Sequence, residues 1–465
     1  MEKVAIMPTP PVKEVNPICD ATDDLFFYGF WLDIMFAGEP KHAFVWVTSN
    51  KEVVLPEMDE LSRIGVRPKY LPDRFTPRWK PAFINNFLDG APTNPEINEV
   101  FGMCEEFFRY FLDIPDERVY KVLALWTIAT YLMPIWYALG YLTIFGLRES
   151  GKSKVLEVLD LLAFNATKVQ SITSPSLFRY IEMYSPTLLM DETDFTEPTK
   201  HADLLHLLYV GYKRGIPAIR SEKTTKEKIK TRKFNVFCPK ALVAPHGMEP
   251  MLLTRCIIIR MLRTSNFEIS RRWPTDLDPK INSWAENIRN YLYRFALERW
   301  RDVKKEYESL TMPENVDSRN FEVWAPLFAL AKIFNCYDEI VEYARETSIE
   351  KRTEELLETE EFKLLRVLLH LAKQISHLAK QHNEALLDAW KSAGEIASEA
   401  ELLIGKEQWI KPQRIGRILS NTFAFTSAKG LKKLINGTAK YKIDPDYLRA
   451  LALRHGIDPE NPLNI

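Results

Sequence analysis

Lys152 closes the run Gly146-Leu147-Arg148-Glu149-Ser150-Gly151-Lys152-Ser153, which has the spacing G-x-x-x-x-G-K-[ST]. Glycines at the two fixed places let the backbone curl so that successive N–H groups point inward. The lysine can then reach outer phosphate oxygens, and the serine hydroxyl can ligate Mg²⁺. All eight residues are therefore candidate contacts for a nucleoside triphosphate such as ATP. A second group of acids follows an apolar run: Leu188, Leu189 and Met190 lead into Asp191 and Glu192. Carboxylates at a strand end are often purely structural. Downstream of a phosphate loop, however, Asp191 is placed to hold Mg²⁺ through water and Glu192 to orient and activate an attacking water. A third group is basic: Arg220, Lys223, Lys226, Lys228, Lys230 and Arg232 fall within a stretch from Lys213 to Lys233 whose acids are Glu222 and Glu227.

These residues need elements to hold them. Residues 140–145 are uncharged, β-branched and aromatic, as in a strand buried on both faces. Val155, Leu156, Val158, Leu159, Leu161 and Leu162 recur at helical spacing. The loop thus lies between a strand and a helix N-terminus, where the helix dipole favours anions. Further strands are expected at 168–172, 186–190, 240–246 and 256–261, with a helix from Thr173 to about Tyr184, which together give a parallel α/β sheet. The basic stretch reads as strand, turn and strand. Its tip can touch backbone phosphates of a nucleic acid or simply form a solvated charged loop.

The rest of the chain frames this core. Residues 25–35 and 42–49 read as strands joined by a Gly38/Pro40 turn, which makes a small β-rich N-terminal module. Helical periodicity covers 95–112 and 116–133. It returns over 278–305, 320–346, 353–382 and 383–404. From Gly405 onward, lysine and arginine outnumber the acids. Helices are expected there at 413–419 and 430–434, followed by a strand-turn-strand over 435–443, a winged-helix pattern able to bind DNA or protein. The expected segments are a flexible tail 1–20, an α+β module 21–94, helices 95–135, the core 136–265, a helical lid or bundle 266–404 and the winged-helix-like module 405–465.

Composition excludes less than the motifs indicate. With 465 residues, 46% apolar content and a formal net charge of −1, the chain has material for several cores. Near-neutral charge does not argue against nucleic acid, because a local basic surface can be balanced elsewhere. The five cysteines form no C-x-x-C pair, and neither they nor the eight histidines show zinc spacing. A reducing, cytoplasmic setting is expected. Met1 to Pro17 does not read as a secretory signal. Val122 to Phe145 is long and uncharged enough to suggest a membrane span, but Pro134 and Gly140 interrupt it. A buried helix followed by a buried strand is the expected form, without membrane insertion.

Residues about 115 to 340 resemble AAA+ helicases of the superfamily 3 and minichromosome-maintenance kind, most of all those accompanying plasmid and viral primase-polymerases. The resemblance rests on Gly146 to Ser153, Leu188 to Glu192, Gly211 to Gly215, Phe237 to Leu242 and Leu253 to Ile259. Asn320 to Leu327 also resembles a stretch of the helical lid. The resemblance implies an AAA+ P-loop core in a ring, usually hexameric, with sites between subunits and a hairpin lining a DNA channel. It makes Lys152 and Ser153 the phosphate and Mg²⁺ contacts, Asp191 and Glu192 the metal and water carboxylates, and Arg255 an arginine finger offered to the neighbouring subunit. The family commonly has asparagine as first sensor, where this chain has Ala244-Pro245-His246, so His246 is the candidate; no sensor-two arginine is assigned. The first 95 residues carry no primase constellation. The implied activity is ATP-driven DNA translocation or unwinding in replication. An ATP-regulated DNA scaffold or loader and a protein-remodelling ATPase are the alternatives.

Overall fold

Runs of consecutive large apolar residues, buried on both faces, build the first sheet. Strands β1 (Lys13–Val15), β2 (Cys19–Ala21), β3 (Phe26–Phe36), β4 (Glu39–Thr48), β5 (Val53–Val54) and β6 (Val66–Pro68) open the chain. The computed structural model describes residues 13–56, 65–146, 149–169, 174–191, 202–223, 229–243, 248–275, 278–358, 360–382, 389–404 and 411–454. β2-β3-β4-β5 form an antiparallel sheet, and β1 pairs with β6 in parallel. The β3–β4 turn is Ala37-Gly38, with φ of 50° and 87°, the two-residue geometry that matches strand twist. Pro40, expected in the turn, lies within β4 opposite Met35. Phe27 and Trp46 pack on one face of this sheet. Tyr28 and Phe30 enter the main core on the other, where Tyr28 meets Phe164 and Tyr293 and its hydroxyl donates to the Tyr131 carbonyl at 2.6 Å. The first sheet therefore shares its hydrophobic core with the parallel-sheet segment that follows.

Helices α1 (Pro81–Leu88), α2 (Val100–Phe111) and α3 (Arg118–Tyr131) come next. The uncharged stretch ending at Phe145 divides as expected into buried α3, a short turn and a buried strand. Among the described residues no helix is long and apolar enough to cross a membrane. The central elements are β7 (Tyr141–Gly146), α4 (Lys152–Leu162), β8 (Ala166–Val169), α5 (Ser174–Tyr184), β9 (Thr187–Met190), α6 (Ala202–Val210), β10 (Ala218–Lys223), β11 (Ile229–Phe234), β12 (Lys240–Val243), α7 (Pro250–Leu253) and β13 (Cys256–Met261). Five of the strands form a parallel sheet in the order β13-β7-β12-β9-β8.

Successive residues of a strand face opposite sides, and here the two sides have separate cores. Leu142, Ile144, Leu189, Ala241 and Ile257 pack with Val155, Val158 and Leu159 of α4. Tyr141, Leu188, Met190, Leu242 and Cys256 pack with residues of α5, α6 and α7. The chain leaves β7 toward one face and its neighbour β12 toward the other. Such a reversal opens a crevice at the carboxyl ends of the strands, where open α/β sheets take ligands.

After α8 (Phe267–Arg271), the helices α9 (Pro279–Glu308), α10 (Ser318–Ile333), α11 (Tyr337–Glu358) and α12 (Glu360–His382) follow. The stretch expected as one helix over 320–346 is two: Asn335 takes φ of 56° and breaks the chain between α10 and α11. The chain divides into two compact units, Met1–Ser348 and Ile349–Ile465. The second contains α12, β14 (Trp390–Ser392), α13 (Ala393–Ile404), α14 (Pro412–Arg417), β15 (Lys432–Ile435), β16 (Thr438–Lys442) and α15 (Pro445–Arg454). Its antiparallel sheet has the order β14-β16-β15. The helix expected at 430–434 is strand β15 instead, drawn out by pairing with β16 across the turn Asn436-Gly437. Residues 390–392, expected in a helix, are the edge strand β14, paired with β16.

Candidate nucleotide site and basic hairpin

Gly146 ends β7 at the crevice. A Cβ there would lie 2.4 Å from the Ser150 Oγ and 2.5 Å from the Met261 carbonyl oxygen, so the chain passes a point that only glycine fits. Gly151, at φ of 87°, takes the left-handed conformation that starts α4. Lys152 folds back over the loop and donates to the Gly146 carbonyl at 2.7 Å. Ser150 is 4% exposed, and its hydroxyl oxygen has no hydrogen-bond partner among the described residues. Ser153 is exposed in the first turn of α4, and Glu149 pairs with Arg263, just past β13, at 3.1 Å. Leu147 and Arg148 lie outside the described residues.

Asp191 follows β9 at the same end of the sheet. Leu242 of β12 is in register with both Thr143 of β7 and Met190 of β9, so Asp191 stands level with Ile144, two residues before Gly146, and two strand spacings or about 10 Å from β7. Its Oδ1 is buried without a hydrogen-bond partner among the described residues. Among the described residues, the oxygens of Ser150 and Asp191 share one crevice and fit a polar or cationic ligand; the Thr143 and Thr187 hydroxyls of the same sheet are likewise buried and unpartnered. Burial, the largest influence, raises the pKa of Glu157 in α4; Lys168 and Lys154 oppose the shift, and Asp191 adds to it. Glu192 and His246 lie outside the described residues.

Sequence reasoning missed what holds the other end of α4. Arg78 donates to the carbonyls of Asp160, Leu161 and Ala163, Arg289 donates to Leu161, and the Tyr131 hydroxyl donates to Leu162. These are the carbonyls a helix C-terminus leaves unpaired, and two guanidinium groups there complement the negative end of the dipole. Arg78 lies in a proline-punctuated connector and Arg289 far along the chain, so no local pattern links them to the loop.

Arg255 stands at the opposite end of the sheet. It precedes Cys256, which is in register with Tyr141 at the start of β7. Its guanidinium donates to the Tyr209 carbonyl at 3.0 Å and to the Met251 carbonyl, and it lies 5.2 and 5.4 Å from the ring centres of Tyr209 and Tyr212. The basic stretch is an antiparallel hairpin of β10 and β11, in which Arg220 faces Arg232 and Glu222 faces Lys230, with Lys223 opposite Ile229. Arg232 already has a partner, since its guanidinium donates to Glu182 of α5 at 2.9 Å. Lys226 and Lys228 lie outside the described residues.

The hairpin root is fixed by a buried ammonium. Lys240, the first residue of β12, is 0% exposed. Its Nζ donates to the carbonyls of Gly211, Val236 and Cys238 at 3.1, 3.3 and 3.0 Å, and it lies 4.8 Å from the Tyr141 ring centre. Gly211 ends α6 before the hairpin, and Val236 and Cys238 follow it. One side chain thus ties the entry and exit of the insertion together, and burial lowers its pKa.

No protein-family model and no curated relative matches the sequence. Among solved structures, the chain is similar to the X-ray structure of JCV helicase at 12% identity and a TM-score of 0.26, over 58% of this chain and 67% of that one. It is also similar to the A form apo structure of the NrS-1 C terminal region, at 10% identity and a TM-score of 0.37, over 90% and 97%. These scores are too low to fix the fold, which rests on the sheet order and the loop geometry.

Proposed function

We propose that the chain is an ATP-driven motor on an AAA+ P-loop core that translocates on or unwinds DNA during replication. The observation that carries this reading is the glycine-shaped loop at the reversal point of the sheet, with the orphaned oxygens of Ser150 and Asp191 beside it. Mg²⁺ and the triphosphate, when bound, supply charge neutralisation and a cleavable phosphoanhydride. Ser153 and Asp191 would hold the metal, the latter through water. Lys152, now on the Gly146 carbonyl, would turn to the outer phosphates, and Glu192 would orient the attacking water. Arg255 would serve a neighbouring subunit in a homo-oligomeric ring, a hexamer in this reading, after leaving the Tyr209 and Met251 carbonyls. His246 would act as first sensor.

The hairpin supports nucleic acid as the moving partner, because a protein-threading pore would more typically present apolar residues. A primase-polymerase is the proposed functional companion and the cytoplasm the proposed setting. The helices after β13 would form the lid. In the second unit, the three-stranded sheet beside short helices supports a winged-helix reading. The test is Mg²⁺-dependent ATP hydrolysis together with strand displacement on forked DNA. Lys152→Ala should lose ATP binding and both activities, whereas Glu192→Gln should keep bound ATP but not hydrolyse it. Hydrolysis and DNA binding without displacement or translocation would replace the motor with an ATP-regulated loader. Normal turnover by Glu192→Gln would remove that residue from the reaction.

A further inference from the structure

A cavity of about 340 Å³ lies at the root of the basic hairpin. It is separate from the phosphate loop: its lining includes Ser185 and Pro239, which precede β9 and β12, at the entry end of the sheet. The loop is at the exit end, about 16–20 Å along β7 at roughly 3.3 Å per residue. The first sheet contributes Asp20 and its following connector Lys69, α5 contributes Glu182, and the hairpin and its flanks contribute Arg214, Lys233 and Asn235.

The charges of this lining sort into two groups. Its acids are already engaged: the Asp20 carboxylate accepts from the backbone N–H groups of Asn16 and Ala21 at 2.8 Å each, and Glu182 accepts from Arg232. Its two lysines are uncommitted, while Arg214 is attracted by the neighbouring Asp20 carboxylate. Among the described residues neither the Lys69 nor the Lys233 ammonium has a partner, and Arg214 donates from Nη2 to the Met133 carbonyl at 2.9 Å while lying 5.7 Å from the Phe237 ring centre. Guanidinium and aromatic planes are surfaces on which bases stack, and Asn235 keeps its amide N–H groups for a base edge, since among the described residues only its carbonyl oxygen is used, by the Phe237 N–H. The volume sits at the low end of the range for small-molecule sites, roughly 300–1,000 Å³, which suits one nucleotide rather than a run of them.

We propose that this cavity binds one phosphorylated nucleoside, either a free nucleotide or a single unit of a bound strand. The phosphate faces Lys69 and Lys233, and the base lies against Arg214 and Phe237. The strand form rests on the reading of the hairpin as a nucleic-acid contact; the free form does not. Because the lining joins the first sheet to the hairpin root, occupancy would tie the two together.

The test measures binding of labelled thymidine monophosphate, which lacks the outer phosphates the loop needs, and of a labelled oligothymidylate to the intact chain. Three variants are compared: Lys69→Ala with Lys233→Ala, Ile216→Trp at the exposed cavity wall, and Lys223→Ala with Lys230→Ala on the hairpin. The first two should each weaken at least one probe about tenfold or more, while ATP hydrolysis without nucleic acid stays within about twofold and melting is unchanged. Weakening of the oligonucleotide alone identifies a strand unit, and weakening of the monophosphate identifies a free nucleotide. Unchanged affinity for both probes in Ile216→Trp overturns the proposal even if the lysine pair has an effect, because that pair then acts through its field and not through the cavity. If the hairpin variant alone keeps full oligonucleotide affinity, the hairpin reading fails while the cavity stands.

Discussion

Replacing Lys240 with methionine keeps most of the side-chain volume and removes the three N–H donors. The carbonyls of Gly211, Val236 and Cys238 then remain buried without that partner. The Gly211 carbonyl keeps the Cys238 N–H at 3.3 Å, so at about 1–3 kcal/mol for each of the two stranded acceptors the loss is roughly 2–6 kcal/mol. Part of this returns because an ammonium no longer has to be dehydrated, which leaves a net destabilisation of about 1–3 kcal/mol. Hydrogen exchange on the intact chain should show this as faster exchange at 209–215 and 234–240 than in β7. A pH series separates the ammonium from mere packing. Burial lowers the folded pKa of Lys240 below its ordinary value of 10.5, so the unfolded chain holds the proton more tightly. The charging cost is fully present below the folded pKa and fades as pH rises from there toward 10.5, so stability contributed through this group climbs over that window. Lys240→Met should lack this part of the climb. A variant as stable as the parent, with local exchange and the alkaline climb unchanged, would refute the role given to the ammonium.

Three further outcomes are expected. Gly146→Ala should weaken ATP binding at least about tenfold in equilibrium titration, and adding Ser150→Ala should not restore it, because the Met261 carbonyl still blocks the new Cβ. In the second unit, Lys440 and the Ser392 N–H and hydroxyl hold the Glu395 carboxylate at a pKa of about 2, below its ordinary 4.5. Its contribution is fully present above 4.5 and lost as pH falls through about 2, so Glu395→Gln should flatten the acid limb of local unfolding followed by exchange in α13. Arg255→Ala and Lys152→Ala subunits, each inactive alone, should regain ATP hydrolysis when mixed; a mixture that assembles but stays inactive removes Arg255 as a finger in trans.

What the sequence made legible was local. Gly146, Gly151 and Lys152 announce their loop because backbone curvature and phosphate reach are set within eight residues, and the strand–loop–helix context follows from uncharged and helical spacing on either side. The hairpin was legible from alternation, and the Asn436-Gly437 turn from its residue types. The partners were not. Arg232 reads as a free cation until α5 brings Glu182 to it, and Lys240 reads as a strand-edge surface lysine until three carbonyls from both sides of the hairpin enclose it. The error at 430–434 has the same origin: a short lysine- and leucine-containing run carries little helical preference of its own, and pairing with β16 decides it. Likewise Pro40 suggested a turn, but the tighter Ala37-Gly38 geometry extends both strands of the first hairpin.

The guanidinium groups of Arg78 and Arg289 give α4 a fixed fulcrum. With its last carbonyls tied to the connector after the first sheet and to α9, the helix is poorly able to slide along its own axis when the loop at its other end changes shape. Displacement at the loop must then appear as swing about that anchored end or as rearrangement between Gly146 and Gly151. Either converts an ångström-scale change at one side of the sheet into rotation of what α4 packs against, and the aromatic cluster around Tyr28, Phe164 and Tyr293 lies at the pivot.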